Sequence, residues 1–389
     1  MVDLSVRTFS FELLLLSLTL LLLIFAILRY TLSFKQACTV ALIKCALFFL
    51  YFSGLLGASW THSDDITYLE HAFELSESYS LSELTFSLDG YISMMAISGG
   101  RHILYTWWNV LATEVFGHVY YAPIALNILV SALSGVIFFK IVRLEASLKY
   151  SQWCTVFFLT HLDMLTWSSL INVKGTLVVF LTLSLLYQTI VFFRGKNFTS
   201  LILILLILFM FLWIRFYIPV LYLVSVILLV LILYRSIFVM CVFSLISAVA
   251  LVYIIPKVDF SLLNPFGFVS GAIRFLLTPQ PWGIVDSYKY LFLSSFFNLF
   301  MFIPLLFGAY RVYRCSEVGK VIVVYFFVCL GLYSILPELQ GPRHRYQFIP
   351  LIALAQFHFL FCVCKHAMKK IEKRAARNIN DDGDASCVV

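Results

Sequence analysis

Long apolar runs are the feature that most constrains how this chain can fold. One of them, from Phe11 to Leu28, contains a single charged residue, Glu12. A helix needs about 20 mostly apolar residues to cross the hydrocarbon core of a bilayer, and most of the 389 residues belong to runs of this kind. Only 12% of the residues are charged, whereas a soluble domain carries about 25%. The sequence therefore predicts an all-α, polytopic membrane protein.

The apolar runs predict about eleven spanning helices. They lie at 11–29, 37–59, 121–139, 152–172, 174–193, 199–217, 218–234, 237–255, 291–310, 320–337 and 346–364. The first run is long, leucine-rich and followed by no small-residue cleavage site, which favours a retained helix over a signal peptide. We expect one transmembrane domain over 1–364 and a basic cytoplasmic tail over 365–389. That tail carries much of the basic charge and is typical of the flank of a last helix, so nucleic-acid binding is not predicted.

Lysine and arginine in the short loops predict the topology, because cytoplasmic loops are enriched in them. Placing every basic loop in the cytoplasm puts the N-terminus outside and leaves 60–120 and 256–290 as the two large extracytoplasmic loops. The number of membrane crossings agrees with this placement of the loops only if 103–117 lies in the membrane interface as a juxtamembrane helix and does not cross. The residues from Phe266 to Leu277 also predict a short interfacial helix.

The stretch from Trp60 to Arg101 concentrates acidic side chains. It carries seven of the chain's twenty acidic residues: Asp64, Asp65, Glu70, Glu74, Glu77, Glu83 and Asp89. Adjacent carboxylates directly after a membrane helix are suited to act as a general base, with or without a bound divalent metal ion. The alternative is a solvated loop that keeps this side of the protein outside.

Cationic residues recur at separate turns on the same predicted side. Lys174 and Arg215 interrupt apolar runs, and a third group, Arg343-His344-Arg345, precedes the last helix. Arginine side chains match phosphate oxygens bidentately, so these turns indicate a phosphate site. Anchoring to lipid headgroups is the alternative for each of them, and also for Arg274 with Trp282.

The segment from Asp64 to Ala72 resembles the acidic motif that opens the first extracytoplasmic loop of GT-C glycosyltransferases, in the protein mannosyltransferase and aminoarabinose transferase branch. The segment from Arg101 to Gly117 is similar to the one that follows in that branch, with Ile103-Leu104 where the branch has two prolines. The residues from Arg345 to Pro350 are similar to the opening of a late helix in bacterial polysaccharide enzymes of this type.

The resemblance implies a GT-C-like fold and a sugar donor linked to polyprenyl phosphate or diphosphate. Asp64 would be the general base, Asp65 would assist it or bind a metal, and Lys174, Arg215, Arg343 and Arg345 would hold the donor phosphate. The remaining substrate contacts would be Tyr68, Arg101, His102, Tyr105, Arg274, Trp282, His344 and Tyr346. No cofactor is certain.

The implied partners are the lipid-linked donor, the bilayer, and a glycan or lipid acceptor, with the active site on the extracytoplasmic face of a bacterial inner membrane. Two alternatives remain. A polysaccharide repeat-unit polymerase or ligase would also use a lipid-diphosphate donor and outer arginines. A lipid-linked sugar transporter or flippase would place charges near mid-bilayer and often carries inverted repeats, which this sequence lacks.

The topology is tested by cysteine accessibility in intact cells, with the native cysteines removed. We expect a membrane-impermeant thiol reagent to label Ser63→Cys and to leave Ser316→Cys unlabelled, because the first position lies in the acidic loop and the second in a basic loop. The reverse labelling pattern would place the acidic loop in the cytoplasm and contradict the scheme.

Overall fold

A computed structural model describes residues 9–56, 63–100, 102–195, 197–234 and 267–384 of the chain. Helices are the only regular elements in these ranges. The α-helices of the first half are α1 Phe11–Arg29, α2 Phe34–Phe52, α3 Ser63–Ser78, α4 Leu81–Phe86, α5 Leu88–Ile97, α6 Ile103–Phe116, α7 Ala122–Arg143, α8 Leu148–Thr160, α9 Leu162–Ser169 and α10 Gly175–Gly195. Those of the second half are α11 Phe198–Leu212, α12 Ile218–Tyr234, α13 Phe268–Leu277, α14 Phe292–Phe300, α15 Phe302–Cys315, α16 Glu317–Ile335, α17 Pro342–Arg345 and α18 Ile349–Asp384. Short 3-10 helices occupy Asp286–Leu291, Pro337–Leu339 and Tyr346–Phe348. The all-α class is confirmed.

Six helical spans in the described ranges are long and apolar enough to cross a membrane. They are Phe11–Arg29, Phe34–Phe52, Ala122–Arg143, Gly175–Gly195, Glu317–Ile335 and Pro342–His366. A seventh span results if α14 and α15, which are bent by 58°, cross together. These helices define a multi-pass membrane protein. The finer count of about eleven spans stays a prediction, and its run 237–255 lies outside the described residues.

The run 152–172, expected as one span, is divided between α8 and α9. The break falls at His161, whose ψ angle of 133° leaves the helical region. The backbone N–H of Asp163 donates to Nδ1 of His161 at 3.3 Å, so the histidine caps α9. The break therefore begins a new short helix with Asp163 in its first turn.

Helices α3 to α6 form a separate layer over one end of the bundle, with a small core of their own. That core consists of Ala72, Leu75, Leu84, Met94, Ile103 and Val110. Ser80 and Glu83 form a capping box that starts α4. Gly117, at a φ of 86°, ends α6 in a conformation that glycine adopts readily. The region 103–117 is thus one helix, as the sequence predicted, and α13 confirms the helix expected near 266–277.

The last helix packs most closely against α15. A Cβ atom on Gly308 would come within 1.9 Å of the carbonyl oxygen of Ala355, so only glycine allows the two backbones to approach this far. This contact fixes the position of α18, and with it the turn α17 that precedes it. The backbone of α18 continues as helix to Asp384, through most of the predicted tail.

Candidate anion-binding site

A cavity of 550 Å³ lies where the α3–α6 layer meets the ends of the bundle helices. Among its described lining residues are six that the sequence analysis singled out: Tyr68, His102, Lys174, Arg215, Arg343 and His344. They come from α3, the start of α6, the link before α10, the turn before α12, and α17. The predicted cationic turns, far apart in sequence, therefore converge on one cavity.

Arg215 is the most deeply buried of these cations, with 5% of its surface exposed. It lies in the turn between α11 and α12, where its Nη1 donates to Gln347 Oε1 at 2.9 Å and to the Tyr217 hydroxyl at 3.2 Å. The same nitrogen lies 3.3 Å from Nδ1 of His344. All of these partners are neutral acceptors.

No carboxylate in the described ranges forms an ion pair with Arg215, and its Nε has no hydrogen-bond partner there. Burying a guanidinium without an opposite charge is costly. An anion in the cavity would relieve this cost, and so the local arrangement favours anion binding.

Lys174 provides a second cation to the lining of the cavity. It ends the short link between α9 and α10, where its carbonyl accepts the N–H of Val178 and so starts α10. Its Nζ lies 2.8 Å from Nδ1 of His102, which precedes α6. A charged amine can only donate, so the imidazole accepts and is neutral in this contact. His102 thereby holds Lys174 at the cavity wall.

Arg343 and Arg345 point to different surroundings although they are two residues apart. A helix turns about 100° per residue, so the single turn of α17 sends Arg343 into the cavity and Arg345 into the bundle. Nη2 of Arg345 lies 2.9 Å and 3.0 Å from the two carboxylate oxygens of Asp163. The structure does not bring Arg345 to the cavity, where the sequence analysis expected it.

The Asp163–Arg345 pair is embedded in a buried polar network. Both side chains are almost fully buried. Ser294 and Asn298 of α14 donate to the Asp163 carboxylate, and Nη1 of Arg345 donates to the carbonyl of Leu276 at 3.1 Å. The pair therefore joins α9, α13, α14 and α17.

Of the two predicted catalytic carboxylates, the structure describes only the side chain of Asp65. Asp65 is fully buried and does not line the cavity. The Tyr120 hydroxyl donates to its Oδ2 at 3.4 Å. The side chain of Asp64 and the whole of Arg101 lie outside the described residues, and the backbone of Asp64 belongs to the first turn of α3.

Tyr105 is fully buried and does not line the cavity. Its hydroxyl donates to Asn172 Oδ1 at 2.6 Å and accepts from Asn127 Nδ2 at 3.3 Å. Burial raises the pKa of the Tyr105 phenol well above its usual range. The phenol therefore stays protonated and acts as a fixed hydrogen-bond donor.

Three other predicted substrate contacts also lie away from the cavity. Arg274 of α13 donates through Nε to Gln340. Tyr346 is buried beside Thr176, with 3.1 Å between the two hydroxyl oxygens, and Trp282 is largely exposed.

The structure adds lining residues that the sequence analysis had not assigned to this site. His71 follows Tyr68 by about one turn of α3, and Tyr217 orients Arg215. Helical periodicity could have found His71, whereas nothing in the sequence links Arg215 to its partner Gln347. No group of three or more histidine, cysteine or acidic side chains in the described ranges could hold a metal ion.

An apolar groove of 770 Å³ begins beside the cavity. Its described lining residues belong to α12, α15 and α16. Tyr217 lines the cavity and Leu221, one turn further on, lines the groove. On the other side Ile335, the last residue of α16, lines the groove, and Leu339, four residues later in the chain, lines the cavity. The polar cavity and the apolar groove are therefore neighbours at the start of α12 and the end of α16.

Comparison with known proteins gives no relative: no protein-family model, no curated protein and no solved structure matches this chain. The assignment of function therefore depends on the cavity and the groove alone.

The buried ion pair makes a testable prediction about stability. Asp163→Asn leaves the Arg345 charge buried without a partner, and we expect this to cost about 3–5 kcal/mol of unfolding free energy. The matched control is Asp286→Asn, which removes an exposed pair with Lys289 and should cost less than about 1 kcal/mol. Thermal unfolding of the detergent-solubilised variants measures both. Equal unfolding midpoints for the two variants would contradict the assigned role of the Asp163–Arg345 pair.

Proposed function

We propose that this chain is an integral-membrane glycosyltransferase that moves a sugar from a polyprenyl phosphate or diphosphate donor to an acceptor hydroxyl. The observation that carries the proposal is the pairing of a cationic cavity with an adjoining apolar groove. A lipid-linked sugar has the matching parts: an anionic phosphate next to a long hydrocarbon chain.

The cations of the cavity suit the departure of a phosphate. In glycosyl transfer the acceptor oxygen forms a bond to the anomeric carbon, the bond from that carbon to the phosphate oxygen breaks, and the phosphate leaves with the electron pair. Arg215, Lys174 and Arg343 would stabilise the charge that develops on this leaving group. Arg215 is the strongest candidate because it is buried with neutral partners only.

A base is needed to take the proton from the acceptor hydroxyl. Helical periodicity places position 64 on the same face of α3 as Tyr68 and His71, both of which line the cavity. Asp64 is therefore our proposed base. Asp65 lies on another face, buried against Tyr120, and its proposed part is to support the helix end that carries Asp64.

A repeat-unit polymerase or ligase is the second candidate. The observation that favours it is the burial of Asp65 away from the cavity. The cations line the cavity, whereas Asp65, the one side chain of the Asp64-Asp65 pair that is described, does not. In such an enzyme the cations would be essential and Asp64 dispensable.

Binding of a lipid phosphate tests the cavity. We expect Arg215→Gln to weaken binding of undecaprenyl phosphate about tenfold or more, because a charge-assisted hydrogen bond contributes about 1.5–3 kcal/mol. Arg274→Gln is the matched control, since that arginine contacts Gln340 outside the cavity. Native mass spectrometry with the neutral polyprenol as reference measures both. If the two variants bind alike, or if the polyprenol binds as tightly as the phosphate, the anion site is wrong.

Asp64→Asn separates the two candidate functions. For the glycosyltransferase we expect polyprenyl phosphate or diphosphate release from the lipid-linked sugars of native membranes to fall at least about a hundredfold, with lipid phosphate binding retained. Release is followed by mass spectrometry of the lipid extract. Unchanged release in this variant, with loss in Arg343→Gln, would support the polymerase or ligase.

A further inference from the structure

Helices α4 and α5 carry large apolar side chains that the fold leaves exposed. Phe86 has 88% of its surface exposed, and Leu88, Ile92 and Met95 are exposed as well. The last three are separated by four and three residues, so they lie on one face of α5. A face of this kind on a water-exposed layer marks a contact with something apolar.

The opposite face of α5 is fixed by packing, so the apolar face cannot turn inward. Gly90 lies so close to α4 that a Cβ atom there would come within 2.5 Å of the carbonyl oxygen of Glu83. The Tyr91 ring contacts Trp213 edge to face, with 5.6 Å between ring centroids. The orientation of α5 is therefore set by contacts on two sides.

Trp213 connects this layer to the apolar surface of the bundle. It directly follows α11 and contacts Phe209 of that helix, with 6.0 Å between ring centroids. Phe209, Leu205 and Ile202 lie on the exposed side of α11, whose residues are almost all apolar. Tyr91 of α5 is thus linked through Trp213 to the exposed apolar side of α11.

The negative charge of this layer favours contact with lipids whose headgroups are neutral. Glu70, Glu74, Glu77, Glu83 and Asp89 are all exposed, and no lysine or arginine occurs between residues 63 and 100. Backbone and side-chain hydrogen bonds with Ser80 lower the pKa of Glu83, so this carboxylate stays charged and in water. Such a surface repels anionic headgroups and limits the depth to which its neighbours can enter the bilayer.

We propose that α4 and the apolar face of α5 insert into the headgroup–acyl boundary of the leaflet on the cavity side, among lipids with neutral headgroups. Ser98, at the C-terminal end of α5, lines the cavity. The inserted helix therefore forms the wall between the cavity and the lipid, and holds the cavity at the level of the headgroups. This surface is independent of the chemistry proposed for the cavity.

Fluorescence quenching in nanodiscs of neutral phosphatidylcholine tests the insertion. Phe86→Cys in an otherwise cysteine-free chain is labelled with bimane, and Glu77→Cys on the acidic face of α3 is the matched control. We expect a lipid with a nitroxide near its headgroup to reduce bimane fluorescence at position 86 at least twofold more than at position 77. Aqueous iodide should show the opposite preference.

Strong iodide quenching at position 86 without lipid quenching would overturn the proposal, because the face would then lie in water. Protection from both quenchers would also overturn it, because protein would then cover the face. Ile92→Cys repeats the measurement on the same face in case the first variant does not fold. Replacing part of the neutral lipid by phosphatidylglycerol should reduce lipid quenching at position 86, and an increase would contradict the assignment of neutral lipids.

Discussion

The buried ion pair between Asp163 and Arg345 is the interaction on which the arrangement of the site depends. Two charges in a membrane bundle are stabilised when each pairs with the other and neighbouring groups satisfy their remaining hydrogen bonds. Here Ser294 and Asn298 donate to the carboxylate and a main-chain carbonyl accepts from Nη1 of Arg345, while Nε of Arg345 has no partner in the described ranges. Since Arg345 ends the turn that also carries Arg343 and His344, fixing it inside the bundle determines where its two neighbours point.

The same pair explains why α9 exists as a separate helix. A continuous helix through 152–172 would carry Asp163 in its interior, whereas the break at His161 places it in a first turn, where a carboxylate is favoured by free N–H groups. The break, the ion pair and the orientation of α17 thus form one connected arrangement. The cavity residue Lys174 follows α9 after a link of only a few residues, so it too depends on where that helix ends.

Much of the helical framework was predictable, because a bilayer imposes a length and a hydrophobicity that can be read directly from the residues. The runs at 11–29, 121–139 and 174–193 correspond to α1, α7 and α10 within a few residues. The break at Trp213–Tyr217 lies at the boundary expected between the runs 199–217 and 218–234, whereas the break at His161 divides a run expected as one span. Each is stabilised by a polar group whose contacts involve the turn itself and distant helices, and a hydropathy pattern does not contain such contacts.

The candidate site was predictable in its residue types and only partly in its membership. Lys174 and Arg215 stood out because charge within apolar sequence is expensive, and Arg343 because it belongs to a cluster of cationic side chains before the last helix. The roles of Arg343 and Arg345 could not be separated, since the difference lies in a partner 182 residues away in sequence. Asp64 and Asp65 raise the same difficulty: adjacent residues of a helix project about 100° apart, and the sequence does not show which direction leads to the cavity.

Under the proposed function, the groove beside the cavity determines which variable a kinetic experiment on this protein would need to control. A substrate that reaches its site through the side of the bundle does so by diffusion in two dimensions. Its effective concentration is then its mole fraction in the bilayer, and the volume of the surrounding buffer has no influence. Adding unlabelled phospholipid or detergent to such a system would slow turnover by surface dilution while the total amount of substrate stays the same.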